Sequence, residues 1–334
     1  MTTNEEGIRI RTFRASDAEA AAALLRIVYP AEVITGSMLL HVRATGSPTA
    51  RARRWVALRG GDLVGWARAG LVTWTSIRGI GSVELAVHPD LRRRGIGGRL
   101  CAVAEAHLLA LHPVRLVVDV AEGDGDALEF ARRRGYRQTR ASRVWTLDPR
   151  TVDLSELPVR EAAAAAGGFR LAPLRELGDR LPALHRLYAA ATLDQPWDVP
   201  LDNVPFRRWK RQVVDGPLLD PDGSFVVLHG EEPVSLAWLL VDRERGRAEN
   251  EMTGTLPAYR HRGLARLAKL ATIRWAASAG ITSIGSGNDA TNTDMLALNE
   301  HLDYRPLPGY LELSRPVGAR PRRRQARIRS PAGS

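Results

Sequence analysis

Residues 87–97 read Val-His-Pro-Asp-Leu-Arg-Arg-Arg-Gly-Ile-Gly, and residues 255–265 read Thr-Leu-Pro-Ala-Tyr-Arg-His-Arg-Gly-Leu-Ala. In both stretches a strand-like run enters a turn of proline, arginine and glycine, and a long apolar helix pattern follows. Three residues recur 168 positions later: Pro89, Arg92 and Gly95 as Pro257, Arg260 and Gly263. The 334-residue chain is therefore predicted to contain two copies of one unit.

Each copy is predicted to contain the same run of elements. An opening strand precedes a helical stretch rich in alanine and leucine, an apolar hairpin, a further strand, the Arg/Gly turn and a long helix. A β-rich run, a shorter helix and a last strand complete the copy. This order predicts a mixed α/β layer architecture, present twice. The predicted boundaries are residues 1–150 and 169–315 for the domains, 151–168 for the linker and 316–334 for a basic tail.

Composition narrows the class of protein. Hydrophobic residues make up 44% and charged residues 25%, as in ordinary globular proteins. No stretch approaches the roughly 18 uncharged apolar residues of a membrane helix, so no membrane partner is predicted. The single cysteine, Cys101, excludes an internal disulfide, and the acidic start differs from a secretion signal. These features predict a cytoplasmic protein, and the scattered histidines predict no metal site.

The basic charge is concentrated at one end of the chain. The formal net charge is +11, yet residues 315–334 hold seven arginines and no acidic residue, which leaves about +4 elsewhere. Only Lys210 and Lys269 are lysines among the 48 basic residues. We expect the tail to be an unstructured, solvated extension, and the alternative is a nucleic-acid anchor.

The Arg/Gly turn has the pattern of an anion-binding site. A helix start exposes backbone N–H groups without internal partners, and the helix dipole favours an anion there. Glycine at 95 and 97 lets an oxygen-rich group approach the main chain. Arginines at 92, 93, 94, 260 and 262 add positive charge. A pyrophosphate fits this pattern, whereas the missing Gly-Lys-Ser/Thr excludes a nucleotide-triphosphate loop and the missing third glycine argues against the dinucleotide fingerprint.

A strand followed by Arg-x-x-Gly-x-Gly/Ala resembles the hallmark of the GNAT superfamily of acyl-CoA N-acyltransferases. The match is complete at Arg92, Gly95 and Gly97, and complete with alanine at Arg260, Gly263 and Ala265. The flanking elements extend the resemblance over about residues 7 to 315, as two tandem copies. The resemblance implies an α/β fold of two tandem GNAT-type domains, each a mixed, splayed β-sheet flanked by helices. The layout is similar to that of actinobacterial tandem acetyltransferases such as the mycothiol synthases.

The resemblance implies acetyl-CoA as the acyl donor, with its pyrophosphate on the turn and its pantetheine arm between two splayed strands. The residues implied in cofactor binding are Leu85, Val87, Arg92, Arg93, Arg94, Gly95, Gly97 and Gly98 in the first copy, and Thr253, Thr255, Arg260, Arg262, Gly263, Ala265, Asn292 and Asn299 in the second. For Asn292 the alternative is a helix N-cap. The first copy has no asparagine in that region, so we expect the second copy to be the catalyst.

Direct attack of an amine on a thioester requires a base and an oxyanion donor, and often an acid for the thiolate. The resemblance implies Glu84 and Glu251 as candidate bases, and the alternative for each is an ordinary strand carboxylate in a salt bridge. Where the family often has its tyrosine acid, this chain has Ala131 and Asn299. Tyr136, Tyr304, Tyr310 or water are the substitutes that stay open.

The segment 193–200 is punctuated by proline and is predicted to be a substrate loop. Asp194, Trp197 and Asp198 would suit a cationic amine through charge and cation–π contact. Alternatively, Trp197 packs beneath the loop and Asp198 faces solvent. We expect an acetyl-CoA-dependent N-acetyltransferase of a small-molecule amine, as a monomer or homodimer. The alternatives are acetylation of a protein N-terminus or lysine, and a catalytically inactive CoA-sensing module.

Overall fold

A computed structural model describes residues 7–318 and shows the repeated order of elements that the sequence predicts. The first repeat consists of β1 (Ile8–Thr12), α1 (Ala18–Val28), α2 (Gly36–Thr45), β2 (Arg53–Arg59), β3 (Asp62–Leu71), β4 (Ile80–Val87), α3 (Ile96–Leu109), β5 (Arg115–Ala121), α4 (Gly125–Arg132) and β6 (Arg137–Leu147). A linking helix, α5 (Glu156–Ala166), follows. The second repeat consists of β7 (Phe169–Pro173), α6 (Leu181–Leu193), α7 (Phe206–Trp209), β8 (Phe225–His229), β9 (Glu232–Asp242), β10 (Arg247–Thr255), α8 (Leu264–Ser278), β11 (Ser283–Asp289), α9 (Thr293–His301) and β12 (Arg305–Pro316).

The tandem mixed α/β fold is confirmed, but the sheets of the two repeats are joined. Within residues 7–318, twelve strands form one sheet in the order β1-β2-β3-β4-β5-β12-β6-β11-β10-β9-β8-β7. The last strand of each repeat lies beside the fifth strand of the other: β12 pairs with β5, and β6 pairs with β11. β6 and β12 also pair with each other, antiparallel, at the centre. The repeats have therefore exchanged their last strands, while the predicted domain boundaries stay a prediction.

Helices cover both faces of the sheet, which explains why its inner strands are apolar on both faces. On β9, Ala237 and Leu239 belong to the core cluster that contains α8, whereas Leu236 and Trp238 belong to the cluster that contains α6. In the first repeat, α3 and α1 occupy the corresponding positions on β2 and β3. The linker also packs into the core, because Leu157 of α5 is buried against α8.

Two pairs of parallel strands separate part of the way along their length. β4 and β5 pair only from Ile80 to Val83, and β10 and β11 pair only from Arg247 to Asn250. Beyond those points each pair opens into a cleft next to the Arg/Gly turn. This is the splay that the resemblance implies.

The second repeat differs from the first by a β-bulge in this region. β3 and β4 pair without interruption from 65 with 87 to 71 with 81. In contrast, the register of β10 against β9 shifts between Asn250 and Met252, so that Glu251 is the additional residue. The bulge explains why the two candidate bases differ by one position in the repeat alignment.

The predicted tail falls almost entirely outside the described residues, because β12 runs to Pro316 and residues 319–334 are not described. Among residues 7–318, no helix has the length and apolar character that crossing a bilayer requires.

Candidate active site

The Arg/Gly turns of the two repeats have the same backbone conformation. Arg93 and Gly95 have φ angles of 62° and 77°, and the equivalent His261 and Gly263 have 60° and 74°. The helices α3 and α8 begin immediately after these glycines. Alternating left-handed residues at a helix start point successive N–H groups into one concavity, which suits an anion.

The third position of the motif explains why alanine replaces glycine in the second repeat. A Cβ built on Gly97 lies 3.7 Å from Val87 Cγ2 and 3.8 Å from Leu85 Cδ2, which is ordinary van der Waals contact. Ala265 can therefore occupy the equivalent position without displacing the preceding strand.

The surroundings of the two turns differ in charge. In the first repeat, Arg92 pairs with Asp124 at 2.7 Å and Arg93 pairs with Asp126 at 3.0 Å. Asp124 also caps α4 by accepting a hydrogen bond from Ala127 N. Two carboxylates thus pair with two of the three arginines of this turn.

The second repeat has a neutral residue where the first has Asp124. Asn292, 168 positions later, caps α9 by accepting a hydrogen bond from Met295 N at 3.3 Å. The capping interpretation of Asn292 is therefore confirmed, and the residue also lines the cavity described next. Arg260 of the second turn pairs with Asp194.

A cavity of about 1330 Å³ lies between the repeats and opens onto the second turn. Its wall contains Tyr259, Arg260, His261, Gly263, Leu264, Ala265 and Arg266, together with the splayed residues of β10 from Met252 to Thr255. Among the described residues, those at 85–98 are not part of this wall. Its volume exceeds that of an ordinary drug-sized pocket and leaves room for an extended cofactor arm and a second small molecule.

The first cleft is partly filled by the first repeat itself. Tyr29, directly after α1, donates a hydrogen bond from its hydroxyl to Leu85 O at 3.2 Å. Leu85 O lies on the splayed half of β4, where the resemblance implies contact with the pantetheine arm. A main-chain acceptor of the first cleft is therefore already satisfied by a side chain.

Glu251 projects from the bulge into the cavity. Among residues 7–318, no hydrogen bond or ion pair engages its carboxylate. Water within the cavity can reach the side chain, but protein surrounds it, and this desolvation raises its pKa to about 7. Glu84, the counterpart on β4, is ion-paired with Arg68. The salt-bridge alternative thus holds for Glu84 and fails for Glu251.

Further carboxylates share the cavity region. Burial, with the nearby charge of Glu249, raises the pKa of Glu32 to about 7. Burial, with the charge of Glu312, raises the pKa of Asp119 to about 7. Burial also raises the pKa of Glu249 to about 7, although Val33 N donates a hydrogen bond to its carboxylate at 3.3 Å. These three carboxyl groups are therefore partly protonated near neutral pH.

The predicted substrate loop contacts side chains of the first repeat. Trp197 packs edge-to-face against Trp74 with ring centroids 5.7 Å apart, and the Arg140 guanidinium lies 4.5 Å from the Trp197 centroid. Asp194 and Trp197 line the cavity, whereas Asp198 does not and pairs with Arg115 at 2.6 Å. The structure therefore brings two of the three predicted substrate residues to the cavity.

Residues 72–79 of the first repeat form hydrogen bonds with the end of this loop, a contact that we call the clasp. Asp202 accepts hydrogen bonds from Ser76 N at 2.6 Å and Ser76 Oγ at 2.7 Å. Asn203 Nδ2 and Arg208 Nη1 both donate to Thr73 O at 2.9 Å. Because Trp74 and Leu201 line the cavity, the clasp forms part of its wall.

Most of the predicted cofactor residues of the second repeat line the cavity, and those of the first repeat do not. Thr253, Thr255, Arg260, Gly263, Ala265 and Asn292 line the cavity, while Leu85, Val87, Arg92, Arg93, Arg94, Gly95, Gly97 and Gly98 do not. Arg262 lies outside the wall, 5.9 Å from the ring centroids of Phe169 and Tyr259. Asn299 is fully buried behind Asn288 and accepts a hydrogen bond from Lys269. The binding roles of these residues stay predictions.

Of the three tyrosines considered as acids, only Tyr310 lines the cavity. It forms a hydrogen bond with Glu32, and burial raises its pKa further above the ordinary value. Tyr136 donates to Glu105 at 2.8 Å in the first core, and Tyr304 is buried beside Lys269. A raised phenol pKa disfavours proton donation to a thiolate.

The sequence analysis missed Glu32 and Tyr188. Glu32 lies in the loop after α1, which corresponds in the repeat to the substrate loop after α6, and the repeat alignment is the signal that could have found it. Tyr188 lies on α6, lines the cavity and stacks on Trp238 with centroids 5.4 Å apart. The charge of Glu251 adds to burial in raising the Tyr188 pKa, which indicates that the two side chains are close.

Comparisons with known proteins agree with this geometry. Residues 26–136 and 182–304 match the Acetyltransferase (GNAT) family. The chain is 30% identical over 230 residues to a mycothiol acetyltransferase of Thermobispora bispora, covering 67% of this chain and 72% of that protein. It is similar in fold to a tandem GNAT protein of the clavulanic acid biosynthesis pathway (TM-score 0.69, 18% identity, 94% of this chain and 99% of that one). It is also similar to a GCN5-related N-acetyltransferase of Sphaerobacter thermophilus (TM-score 0.66, 17% identity, 94% and 97%).

Proposed function

The chain belongs to the GNAT acetyltransferase family, and from that membership we propose that its second repeat transfers the acetyl group of acetyl-CoA to the amine of a small molecule. The observation that carries the proposal is the bulged Glu251, whose unpaired carboxylate lies in a cavity continuous with the second Arg/Gly turn. In the first repeat, Glu84 is paired, two of the turn arginines are paired with carboxylates and Tyr29 donates to a carbonyl of the cleft. In the second turn one arginine, Arg260, is paired, with Asp194.

The residues of the second repeat have separate tasks in this proposal. Backbone N–H groups of residues 261–266, with Arg260, bind the pyrophosphate of the donor. Main-chain groups of Thr253 and Thr255 on the splayed half of β10 hold the pantetheine arm, and Asn292 lies at its edge. Glu251 accepts the proton of the attacking ammonium, directly or through water, since a base with a pKa near 7 is matched to neutral pH.

Two features support a small cationic amine as the acceptor. Glu32, Asp119 and Glu251 contribute carboxylates to the wall, and Trp197 contributes its ring, which has Arg140 over one face. The clasp between the two loops forms part of the cavity wall, which favours a bounded pocket for a small acceptor. Trp197 is therefore proposed as an acceptor-binding residue. Asp194 is paired with Arg260 at the donor turn, so its acceptor role stays a prediction.

Calorimetric titration of acetyl-CoA tests where the donor binds. Ala265→Glu places a carboxylate in the first turn of α8, inside the proposed phosphate site, and Gly97→Glu places one at the same point of α3. Neither position has a positive φ, and an acidic residue in the first turn favours a helix, so both variants are expected to fold. We expect Ala265→Glu to abolish binding and Gly97→Glu to preserve it. The opposite pattern would assign the donor to the first repeat.

Turnover is measured as release of the CoA thiol in the presence of a panel of small amines, amino sugars and amino-terminal peptides. We expect release with at least one small amine and loss of that release in Ala265→Glu. Tight binding of acetyl-CoA without thiol release across the panel would contradict the transferase proposal and favour a CoA-sensing role.

A further inference from the structure

Lys269 is a buried lysine in the centre of α8, and burial lowers its pKa to about 7. It is fully inaccessible to solvent, and its Nζ donates a hydrogen bond to Asn299 Oδ1 at 2.5 Å. Its Nζ also lies 4.4 Å from the centroid of the Tyr304 ring, a contact that favours the charged form. Among the described residues no carboxylate pairs with it. A lysine buried in this way is costly, so its retention needs an explanation.

The hydrogen bond from Lys269 determines how the side-chain amides of Asn299 and Asn288 are oriented. Lys269 Nζ is the donor in this hydrogen bond, so the atom of Asn299 that faces it is the oxygen. The amide nitrogen of Asn299 therefore faces the other way, and it donates to Asn288 Oδ1 at 2.6 Å. With its oxygen occupied, Asn288 is left with its two N–H groups. Asn288 lines the cavity on the splayed half of β11.

The first repeat shows that the fold does not need this polar chain. Positions 168 residues earlier hold Cys101, Ala131 and Val120 in place of Lys269, Asn299 and Asn288. All three are buried, and Ala131 and Val120 belong to the core around α3. The same unit thus packs with apolar side chains at these three positions in the first repeat, and it carries the polar chain in the second repeat, where Asn288 lines the cavity.

We propose that Lys269 is a positioning residue that, through Asn299, fixes the Asn288 amide with its N–H groups facing the cavity, where they donate to a carbonyl of the donor's pantetheine arm. This inference rests on the proposed function. The arm of CoA carries two amide carbonyls, and an amide that could rotate freely would present its oxygen to them part of the time. Fixing the orientation removes that repulsive arrangement before the donor binds.

The test is Asn299→Asp, an isosteric change that reverses the chain while keeping the partner of Lys269. The aspartate accepts from the lysine and also from Asn288, so the Asn288 amide must turn its nitrogen inward and its oxygen toward the cavity. The probes are CoA and 3′-phosphoadenosine 5′-diphosphate, which lacks the pantetheine arm, measured by calorimetric binding. We expect CoA to bind about tenfold more weakly, with the affinity for the diphosphate unchanged and no loss of thermal stability.

A second variant keeps the proposal testable if the aspartate perturbs folding. Lys269→Met with Asn299→Leu makes the chain apolar, as in the first repeat, and leaves Asn288 unpinned. We expect a smaller loss of affinity for CoA and no loss of affinity for 3′-phosphoadenosine 5′-diphosphate. Lys210→Met is the matched control, because it removes the other lysine, which pairs with Asp215 at the surface, and should change neither affinity.

Equal loss of affinity for both probes, or no loss for CoA in a folded Asn299→Asp protein, would overturn the inference. Failure of the wild-type protein to bind CoA would instead overturn the proposed function, so the two failures are distinguishable.

Discussion

Replacing Glu251 by glutamine should remove the base of the proposed reaction while preserving the shape of the cavity. The change is isosteric, and no hydrogen bond or ion pair is lost, because no described residue engages the carboxylate. Protein stability should therefore hold, and the effect should fall on kcat. A positioned general base contributes about 10²- to 10⁴-fold, and a base acting through water belongs near the lower end, so we expect kcat to fall about 10²-fold.

The pH dependence gives an independent signature. Burial raises the pKa of Glu251 to about 7, so the carboxylate form that accepts a proton is present above that pH and lost below it. In the wild type, kcat/KM should rise about tenfold per pH unit below pH 7 and approach a plateau above it, unless the acceptor amine itself titrates there. Glu251→Gln should lose this ascending limb.

The assay is initial-rate thiol release from acetyl-CoA with the best acceptor of the amine panel, between pH 5.5 and 9. Glu84→Gln is the matched variant in the first repeat, and we expect it to lower kcat less than about tenfold because Glu84 is already held by Arg68. The reasoning is refuted if Glu251→Gln keeps kcat within tenfold of the wild type, or if it keeps the ascending limb.

Two other perturbations test the pairing of β6 with β11 and the predicted substrate loop. Asp289→Asn removes the nearer of the two carboxylates that pair with Arg140, at 2.5 Å in a nearly buried ion pair, while Glu312 remains at 3.4 Å. The change should cost about 1–3 kcal/mol of unfolding free energy in urea at pH 7. Although burial opposes it, hydrogen bonds from Thr291 and Arg140 hold the Asp289 pKa below its usual range, so this difference should be full above about pH 4 and shrink as the pH falls through the lowered pKa. Trp197→Ala removes an aromatic face worth about 1 kcal/mol and should raise KM for the acceptor about fivefold in steady-state kinetics. An unchanged KM for the acceptor would favour the packing role of Trp197.

The elements were predictable because their signals are local. The alanine- and leucine-rich run that predicts α1 and the Pro-Arg-Gly punctuation that ends β4 and β10 lie within single segments of sequence. The repeat gave a second copy of each signal. The bulge at Glu251 was not predicted, although it corresponds to the one-residue offset between Glu84 and Glu251 in the repeat. The proline-punctuated segment 193–200 is confirmed as a loop after α6.

Features that depend on distant partners were not predictable. The strands β6 and β12 end in similar apolar runs near Leu147 and Leu313, and neither sequence specifies which fifth strand it joins. The pairing of Arg92 with Asp124 needs a loop and a helix cap brought together by folding. Likewise, Lys269 resembled any helix lysine until its burial against Asn299 was visible. In each case the competing arrangements have the same local pattern, so only tertiary contacts decide.

The exchanged strands have a consequence for how the chain is made. When a ribosome has produced the first 150 residues, β5 still presents an open edge, since the strand that covers it begins at Arg305. β6 is meanwhile complete but has neither of its neighbours, because β11 and β12 are both synthesised later. An uncovered edge invites pairing with other chains. The nascent protein therefore depends on its final strand to seal its first half, and a truncation a few residues before Arg305 would expose the centre of the sheet rather than trim its end.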